Sequence, residues 1–267
     1  MGSVKERKGK KLELLFDVGN SYTMVGIHED GKFLTWRIGP SSFESEDGLF
    51  VVISNLLDRA NVDLKRITLA GISSVVPNVN FILEQMLKKY FSVETIFVTT
   101  KNKINDIAYL VDYPNEIGAD RICNVIACKE EYGDHVIALD FGTAITVDVL
   151  EGGNFVGGAI IPGFKTAISA LFSRTAQLPK VEIKVPEYHL GKNTVDNIQI
   201  GVIKTTLYGI ERLIHEIKRE RNKDFVVVAT GGDMSFLSSK VSIFKHYDPY
   251  LTLKGILYYS REIKKLR

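Results

Sequence analysis

The sequence predicts an α/β protein built from two related halves, and three observations carry that prediction. A strand-turn-strand segment occurs twice at one offset of 123 residues (140 − 17), so that Asp17, Gly19 and Thr23 match Asp140, Gly142 and Thr146. Strands alternate with helix-period stretches in both halves, the pattern of layered α/β architecture. The chain has 267 residues, 45% hydrophobic and 25% charged, enough to bury the cores of two modest domains.

The elements follow in order. Residues 1–11 hold five basic residues and one acid and read as a flexible basic leader. Leu14-Leu-Phe-Asp17-Val is a buried strand, followed by a turn, a returning strand, and the hairpin Glu29-Asp30-Gly31-Lys32-Phe33 into a third strand. A further strand spans 67–75, and a helix pattern runs from Ile122 to Lys129. The second copy starts at Ile137, passes its own hairpin at Glu151-Gly-Gly-Asn-Phe155, and has a later strand at 225–230. Between them a helix from about Val195 to Arg219 places Ile203, Leu207, Ile210, Ile214 and Ile217 at steps of four and three, a stripe that is either a core face or a dimer seam. The expected division is 12–130 for the first domain, with a C-terminal helix at 251–267 returning to it, and 131–250 for the second.

Composition excludes several classes. Lys and Arg number 34 and Asp and Glu 32, a formal charge of +2, which gives no basic footprint for nucleic acid. The ends carry the basicity, leaving an acidic body. No apolar run reaches the roughly 18 residues of a membrane span, and no signal-peptide pattern opens the chain, so a cytoplasmic protein is expected. Cys123 and Cys128 are the two cysteines, five apart, and read as reduced core thiols. The five histidines form no i,i+4 pair, so a zinc site has no support.

The repeated turns carry the chemistry. A tight turn rich in Gly and small residues exposes successive N–H groups suited to phosphate oxygens. Asn20, Ser21 and Thr23, and in the second copy Thr143 and Thr146, add short donors. Asp17 and Asp140 at the strand ends would repel a phosphate unless a cation intervened, and Mg²⁺ takes one or two carboxylates together with water and phosphate oxygens. The alternative is that each Asp only caps its turn. Gly158 to Gly163 followed by Phe164-Lys165-Thr166 approaches a P-loop but carries an extra Phe, and no G-x-G-x-x-G follows a strand.

Gly118-Ala119-Asp120-Arg121 is a second candidate. The Gly-Ala step lets a substrate approach the backbone, Asp120 is suited to accept a proton from a hydroxyl, and Arg121 to bind a carboxylate or developing phosphate charge. The same residues also fit a plain turn and N-cap.

DVGNS at 17–21, GADR at 118–121, DFGTAIT at 140–146, GGAIIPG at 157–163, TAQLP at 175–179, GKNT at 191–194 and TGGD at 230–233, in this order, resemble type III pantothenate kinase. The resemblance covers about Leu12 to Ile256. It implies the actin, sugar-kinase and heat-shock-chaperone superfamily: two duplicated ribonuclease-H-like domains with a cleft between them. It further implies a cytoplasmic homodimer that phosphorylates pantothenate with ATP at the first step of coenzyme A synthesis. Carried over by position, Asp17, Val18, Gly19, Asn20, Ser21, Tyr22, Thr23 and Met24 form the first ATP-binding segment, with Asp17 facing Mg²⁺. Gly118, Ala119, Asp120 and Arg121 bind pantothenate, Asp120 being the general base. Asp140 holds a monovalent cation, K⁺ or NH₄⁺, Thr143 touches ATP, and Thr194 touches pantothenate.

The chain departs from the family pattern in places. Ser21 stands where Thr is common and keeps the hydroxyl, and Ile145 replaces a Thr between Thr143 and Thr146. Val111 stands seven residues before Gly118, where many members have a substrate-contacting Tyr, which makes Tyr113 the candidate for that contact. The other readings are a nucleotide-binding regulator of the Bvg accessory factor type and a kinase of the same superfamily for another small hydroxyl acceptor. No helix-turn-helix or basic recognition stripe is evident, so no nucleic-acid partner is expected, and no membrane partner either.

Overall fold

A computed structural model describes residues 11–175, 178–237 and 244–266. The basic leader therefore falls outside the described residues except for Lys11, as do Ala176 and Gln177 of the TAQLP stretch. The chain forms two compact units. One takes in residues up to Ile104, Asn115–Ile126 and Thr252 onwards, and the other Asn105–Pro114 and Ala127–Leu251.

In the first unit, β1 (Leu12–Val18), β2 (Thr23–Glu29), β3 (Lys32–Ile38), β4 (Ile67–Ser74) and β5 (Thr95–Phe97) form a sheet in the order β3-β2-β1-β4-β5. Neighbours β1/β2 and β2/β3 are antiparallel, while β1/β4 and β4/β5 are parallel. The β2–β3 hairpin turns on Asp30 and Gly31, both at positive φ (50° and 79°), the twist that a two-residue loop needs to match its strands. Helices α1 (Glu46–Arg59) and α2 (Pro77–Met86) bury Leu49, Ile53, Leu57, Leu83 and Met86 against Leu14, Phe16, Val25 and Ile72. Ser45 starts α1 by accepting the Gly48 N–H at 3.1 Å.

Helix α7 (Leu251–Leu266) packs within this unit from residue 252 onward, where glycine leaves room for it. A Cβ on Gly26 would meet Leu253, and one on Gly71 would meet Ser260 and Ile256. Gly255 lies against the backbone of Cys123 on α3 (Ala119–Tyr132), where a Cβ would be 2.0 Å from the Cys123 carbonyl oxygen.

The second unit repeats the plan. Strands β6 (Val136–Phe141), β7 (Ala144–Glu151), β8 (Asn154–Pro162), β9 (Val226–Thr230) and β10 (His246–Tyr247) lie in the order β10-β9-β6-β7-β8. Read from β8, this matches β3-β2-β1-β4-β5 strand for strand, including which pairs are parallel. The duplicated α/β fold expected from the 123-residue offset is the fold observed. Gly152 and Gly153, both at positive φ, close its hairpin as Asp30 and Gly31 do in the first.

Helix α4 (Phe164–Arg174) follows β8, and α5 (Thr194–Gln199) runs through a π-helical turn at Ile200–Lys204 into α6 (Thr205–Arg221). Ile203, Leu207, Ile210 and Ile214 are buried with Ile137, Leu139 and Val147, and Ile217 packs on the same cluster, which makes the predicted stripe a core face. Phe164 and Ile168 bury the inner side of α4. Both cysteines are buried and reduced. Among the described residues no helix is long and apolar enough to cross a membrane.

Candidate active site

In the first unit the site starts where β1 ends. Asp17 stands opposite Met24 of β2 and Ser73 of β4, and Val18 opposite Thr23 and Ser74. The Gly19 N–H donates to the Tyr22 carbonyl at 3.1 Å, closing a tight turn that leaves Asn20 and Ser21 exposed and buries Thr23. A Cβ on Gly19 would come within 3.2 Å of that same Tyr22 oxygen. The Arg37 guanidinium lies 4.9 Å over the Tyr22 ring and steadies the far side of the turn. Strand geometry thus presents two exposed polar side chains and backbone beside the half-buried Asp17.

The Gly118 stretch begins α3. The Ile122 N–H donates to the Gly118 carbonyl at 3.1 Å, so the first helical bond closes on the glycine, and Asp120 lies inside the first turn rather than at the N-cap. Its carboxylate folds back over Gly118 and accepts the Arg121 N–H at 2.8 Å. A Cβ on Gly118 would be 2.5 Å from Asp120 Oδ1. Burial pushes the Asp120 carboxyl above its ordinary value, opposed by the Arg121 N–H and then by the Arg121 charge. A desolvated carboxylate at a helix N-terminus has the properties of a proton acceptor.

Gly118 lies against Val75, where a Cβ would be 3.5 Å from a Val75 methyl, and the Val75 N–H donates to the Val18 carbonyl at 3.1 Å; Cys123 follows Asp120 one turn along α3. Burial pushes the Cys123 thiol well up, and the charge of Asp17 and then that of Asp120 push it further. Two segments about a hundred residues apart in sequence, 17–24 and 118–121, therefore meet within one unit. Cys123 and Ser73 between them were not singled out as site residues in the sequence, since neither belongs to a motif with a role.

The second unit presents the matching turn. Asp140 stands opposite Thr146 of β7 and Thr230 of β9, as Asp17 stands opposite Met24 and Ser73. The Gly142 N–H donates to the Ala144 carbonyl at 3.0 Å, and Thr143 is exposed at the tip. The Thr143 carbonyl accepts the Gly163 N–H at 3.1 Å and the Thr166 hydroxyl at 2.6 Å, joining the turn to the start of α4. This contact needs glycine, because a Cβ on Gly163 would lie 2.1 Å from the Gly142 carbonyl oxygen. Gly158 to Pro162 belong to β8, so the P-loop spacing folds as a strand that enters a helix directly.

At Gly231 the backbone has φ 100°, and a Cβ there would meet Phe141 O at 2.4 Å and Asp140 Oδ1 at 2.6 Å. The Phe141 nitrogen is as close, 2.5 Å from the same point, so the turn packs directly on the end of β6 and the contact needs glycine. Lys165 Nζ lies 2.6 Å from Asp233 Oδ1, a buried carboxylate, and the Thr146 hydroxyl donates to the buried Asp148 at 3.2 Å. Lys165, Asp233 and Asp148 had no role in the sequence. Asp233 lies in the TGGD stretch, the one signal that pointed to it.

Thr194 opens α5, exposed, behind an Asn193 cap that accepts the Asp196 N–H at 2.9 Å. It lines a largely apolar cavity of about 670 Å³ with Ile161, Pro162, Leu171, Ile198 and Val202. Pro162 pairs with Ala144, so the cavity adjoins the strand that leaves the Thr143 turn. Val111 is half-buried, and Tyr113 projects into solvent at 69% exposure. Among the described residues no three His, Cys, Asp or Glu side chains form a metal cage.

A sequence model of type III pantothenate kinase matches residues 13–216. The type III pantothenate kinase of Petrotoga mobilis is 92% identical over 255 residues, covering 96% of this chain and 100% of that protein. The enzyme of the same name from Kosmotoga olearia is 44% identical over 256 residues, covering 96% and 98%. Among solved structures, a Campylobacter jejuni protein described as a Baf family transcriptional activator matches with TM-score 0.52 at 22% identity, over 94% of this chain and 99% of that one. An inorganic polyphosphate/ATP-glucomannokinase from Arthrobacter matches with TM-score 0.51 at 11% identity, over 97% and 100%. At such identities these two structures speak to the fold alone, whereas the family match takes in the 17–24, 118–121 and 140–146 segments and the two sequence relatives cover 96% of this chain. The chain belongs to the type III pantothenate kinase family.

Proposed function

We propose that Asp120 is the general base in the reaction this chain catalyses, the ATP-dependent phosphorylation of pantothenate to 4'-phosphopantothenate at the start of coenzyme A synthesis. The observation that carries the assignment is the desolvated Asp120 carboxylate held over Gly118 at the N-terminus of α3. In the proposed step the primary hydroxyl of pantothenate attacks the γ-phosphorus of ATP, the bond to the β,γ-bridging oxygen breaks, and the hydroxyl proton passes to Asp120 Oδ. ADP leaves with the bridging oxygen. Positioning and charge neutralisation do most of the work in such transfers, so a carboxylate of modest basicity suffices.

The remaining assignments follow the same reading. Residues 17–24 and Thr143 hold the ATP phosphates through turn N–H groups and hydroxyls. Kinases of this family use ATP with a divalent metal, and the residues present fit Mg²⁺ arriving with the nucleotide: Asp17 offers one carboxylate and the phosphates and water supply the rest. Bound there, the metal would neutralise phosphate charge. Asp140, which stands in the second copy where Asp17 stands in the first, is assigned to the monovalent cation, K⁺ or NH₄⁺. Gly118, Ala119 and Arg121 take the polar end of pantothenate, Arg121 by pairing with its carboxylate, and Thr194 contacts the substrate from α5. A cytoplasmic homodimer completes the proposal.

Purified protein assayed for ADP release with pantothenate, Mg²⁺ and K⁺ tests the reading. Turnover that requires pantothenate and falls when Na⁺ replaces K⁺ supports it. Equal rates in Na⁺ and K⁺ would remove the cation assignment, and turnover independent of Asp120 would remove the base.

A further inference from the structure

Lys204 is buried, 6% exposed, in the π-helical turn at Ile200–Lys204. A buried ammonium is costly unless its donors are used, and single π-helical turns inside α-helices are enriched at functional sites. The Lys204 ammonium donates to the Tyr188 carbonyl at 2.7 Å and faces His189 Nδ1 at 3.4 Å; neither partner is a carboxylate. Lysine has no acceptor, so Nδ1 receives, and the Tyr208 hydroxyl of α6 is directed at the same nitrogen from 3.0 Å. The segment these residues grip runs into the Asn193 cap of α5. The Tyr188 hydroxyl also faces the Asp196 carboxylate of α5, which ties the same end of the segment to the helix. Gly191 passes so close to α5 that a Cβ there would lie 2.3 Å from Asn197 Oδ1. The 188–193 segment is thus clamped to the helix it precedes, and the next residue, Thr194, sits on the wall of the 670 Å³ cavity.

We infer that Lys204 is a positioning residue for pantothenate recognition: by holding the Tyr188 carbonyl and His189 it fixes where α5 begins and so where Thr194 meets the substrate. The inference rests on the proposed Thr194 contact. Lys204 touches no reacting atom in this scheme, so its loss acts on substrate binding rather than on phosphoryl transfer.

Steady-state kinetics of full-length Lys204→Met, Lys204→Gln, Tyr208→Phe and Thr194→Val test it. Lys204→Met should raise the pantothenate KM about tenfold, the effect of losing one charge-assisted hydrogen bond. Its kcat and its KM for ATP should stay within about twofold of the parent, the signature of lost ground-state binding. Lys204→Gln, which keeps an N–H for the Tyr188 carbonyl, should recover part of the loss, and Tyr208→Phe should raise the same KM by about two- to threefold. If Lys204→Met does not fold, the exposed Tyr208→Phe decides alone. An unchanged pantothenate KM in the folded Lys204 and Tyr208 variants, or an equal loss in kcat and both KM values, overturns the inference while a raised KM in Thr194→Val leaves the Thr194 contact standing. An unchanged KM in Thr194→Val overturns that contact and the inference with it.

Discussion

Gly118 and Asp120 share one space: the Asp120 Oδ1 lies where a Gly118 side chain would begin, 2.5 Å from the position of its Cβ. The carboxylate reaches back over the helix start because nothing occupies that position, and there it accepts the Arg121 N–H. The atom in conflict is the end of a rotatable side chain, so a methyl group at 118 would displace the carboxylate and leave the backbone in place. Gly118→Ala should therefore lower kcat at least about tenfold while shifting the urea midpoint little. Parallel activity and equilibrium unfolding curves check this, and a variant that loses stability and activity together would contradict it.

Asp120→Asn keeps the shape and an acceptor for the Arg121 N–H but removes the base. Its kcat should fall by roughly 10²- to 10⁴-fold. The stability effect has the opposite sign. Burial holds the folded-state pKa of Asp120 above its unfolded value, so the folded state binds the extra proton and stability declines as pH rises from the unfolded value through the raised one. Above that window the ionised carboxylate is a net cost, which the neutral amide lacks. Thermal melts at pH 7 should show Asp120→Asn above the parent, with the gap narrowing as the pH falls through the window. In the parent, kcat/KM should rise with pH across the same range as the base ionises.

Gly163 faces backbone rather than a side-chain end. A Cβ would lie 2.1 Å from Gly142 O and 2.5 Å from Thr143 O, and neither atom can rotate away. Its φ of −62° is ordinary, so the cost of Gly163→Ala is contact and not backbone strain. We expect a loss of roughly 2–4 kcal/mol by denaturant titration. The Thr143 turn is anchored through this contact, so the ATP KM should rise in whatever fraction stays folded.

The thiols should be inert. Burial pushes both cysteines up, with Asp17 and Asp120 adding to the effect at Cys123 and Asp148 and Asp248 at Cys128. A disulfide-exchange reagent at pH 8 should label neither in the native protein and both after unfolding. Prompt native labelling of Cys123 would show that the core around it opens in solution.

Much of this molecule could be read before its fold was known. The matching Asp-Gly-Thr triplets announced the duplication, and the strand orders around β1 and β6 repeat because each copy encodes the same alternation of apolar strands and glycine turns. The stripe from Ile203 to Ile217 was legible for the same reason, since helix period alone puts those residues on one face. The GADR stretch announced a glycine followed by an acid at a helix start. What it left open, N-cap or something else, depended on the first helical bond closing at Gly118.

Other features have no local period to betray them. Lys165 and Asp233 are separated by 68 residues, and they meet because β8 delivers α4 and β9 delivers the 231–233 turn to one end of the sheet. Lys204 looks like one more lysine until the π-helical turn carries it inward to the Tyr188 carbonyl. Asp17 and Asp120 were named from separate motifs, but only the fold brings the charges of both to bear on Cys123. Sequence by itself determined the repeat, the turns and the helix faces, because these depend on neighbours a few residues away. The tertiary structure alone decided which charges are buried and what they touch, because burial and pairing depend on which distant segments the sheet order brings together.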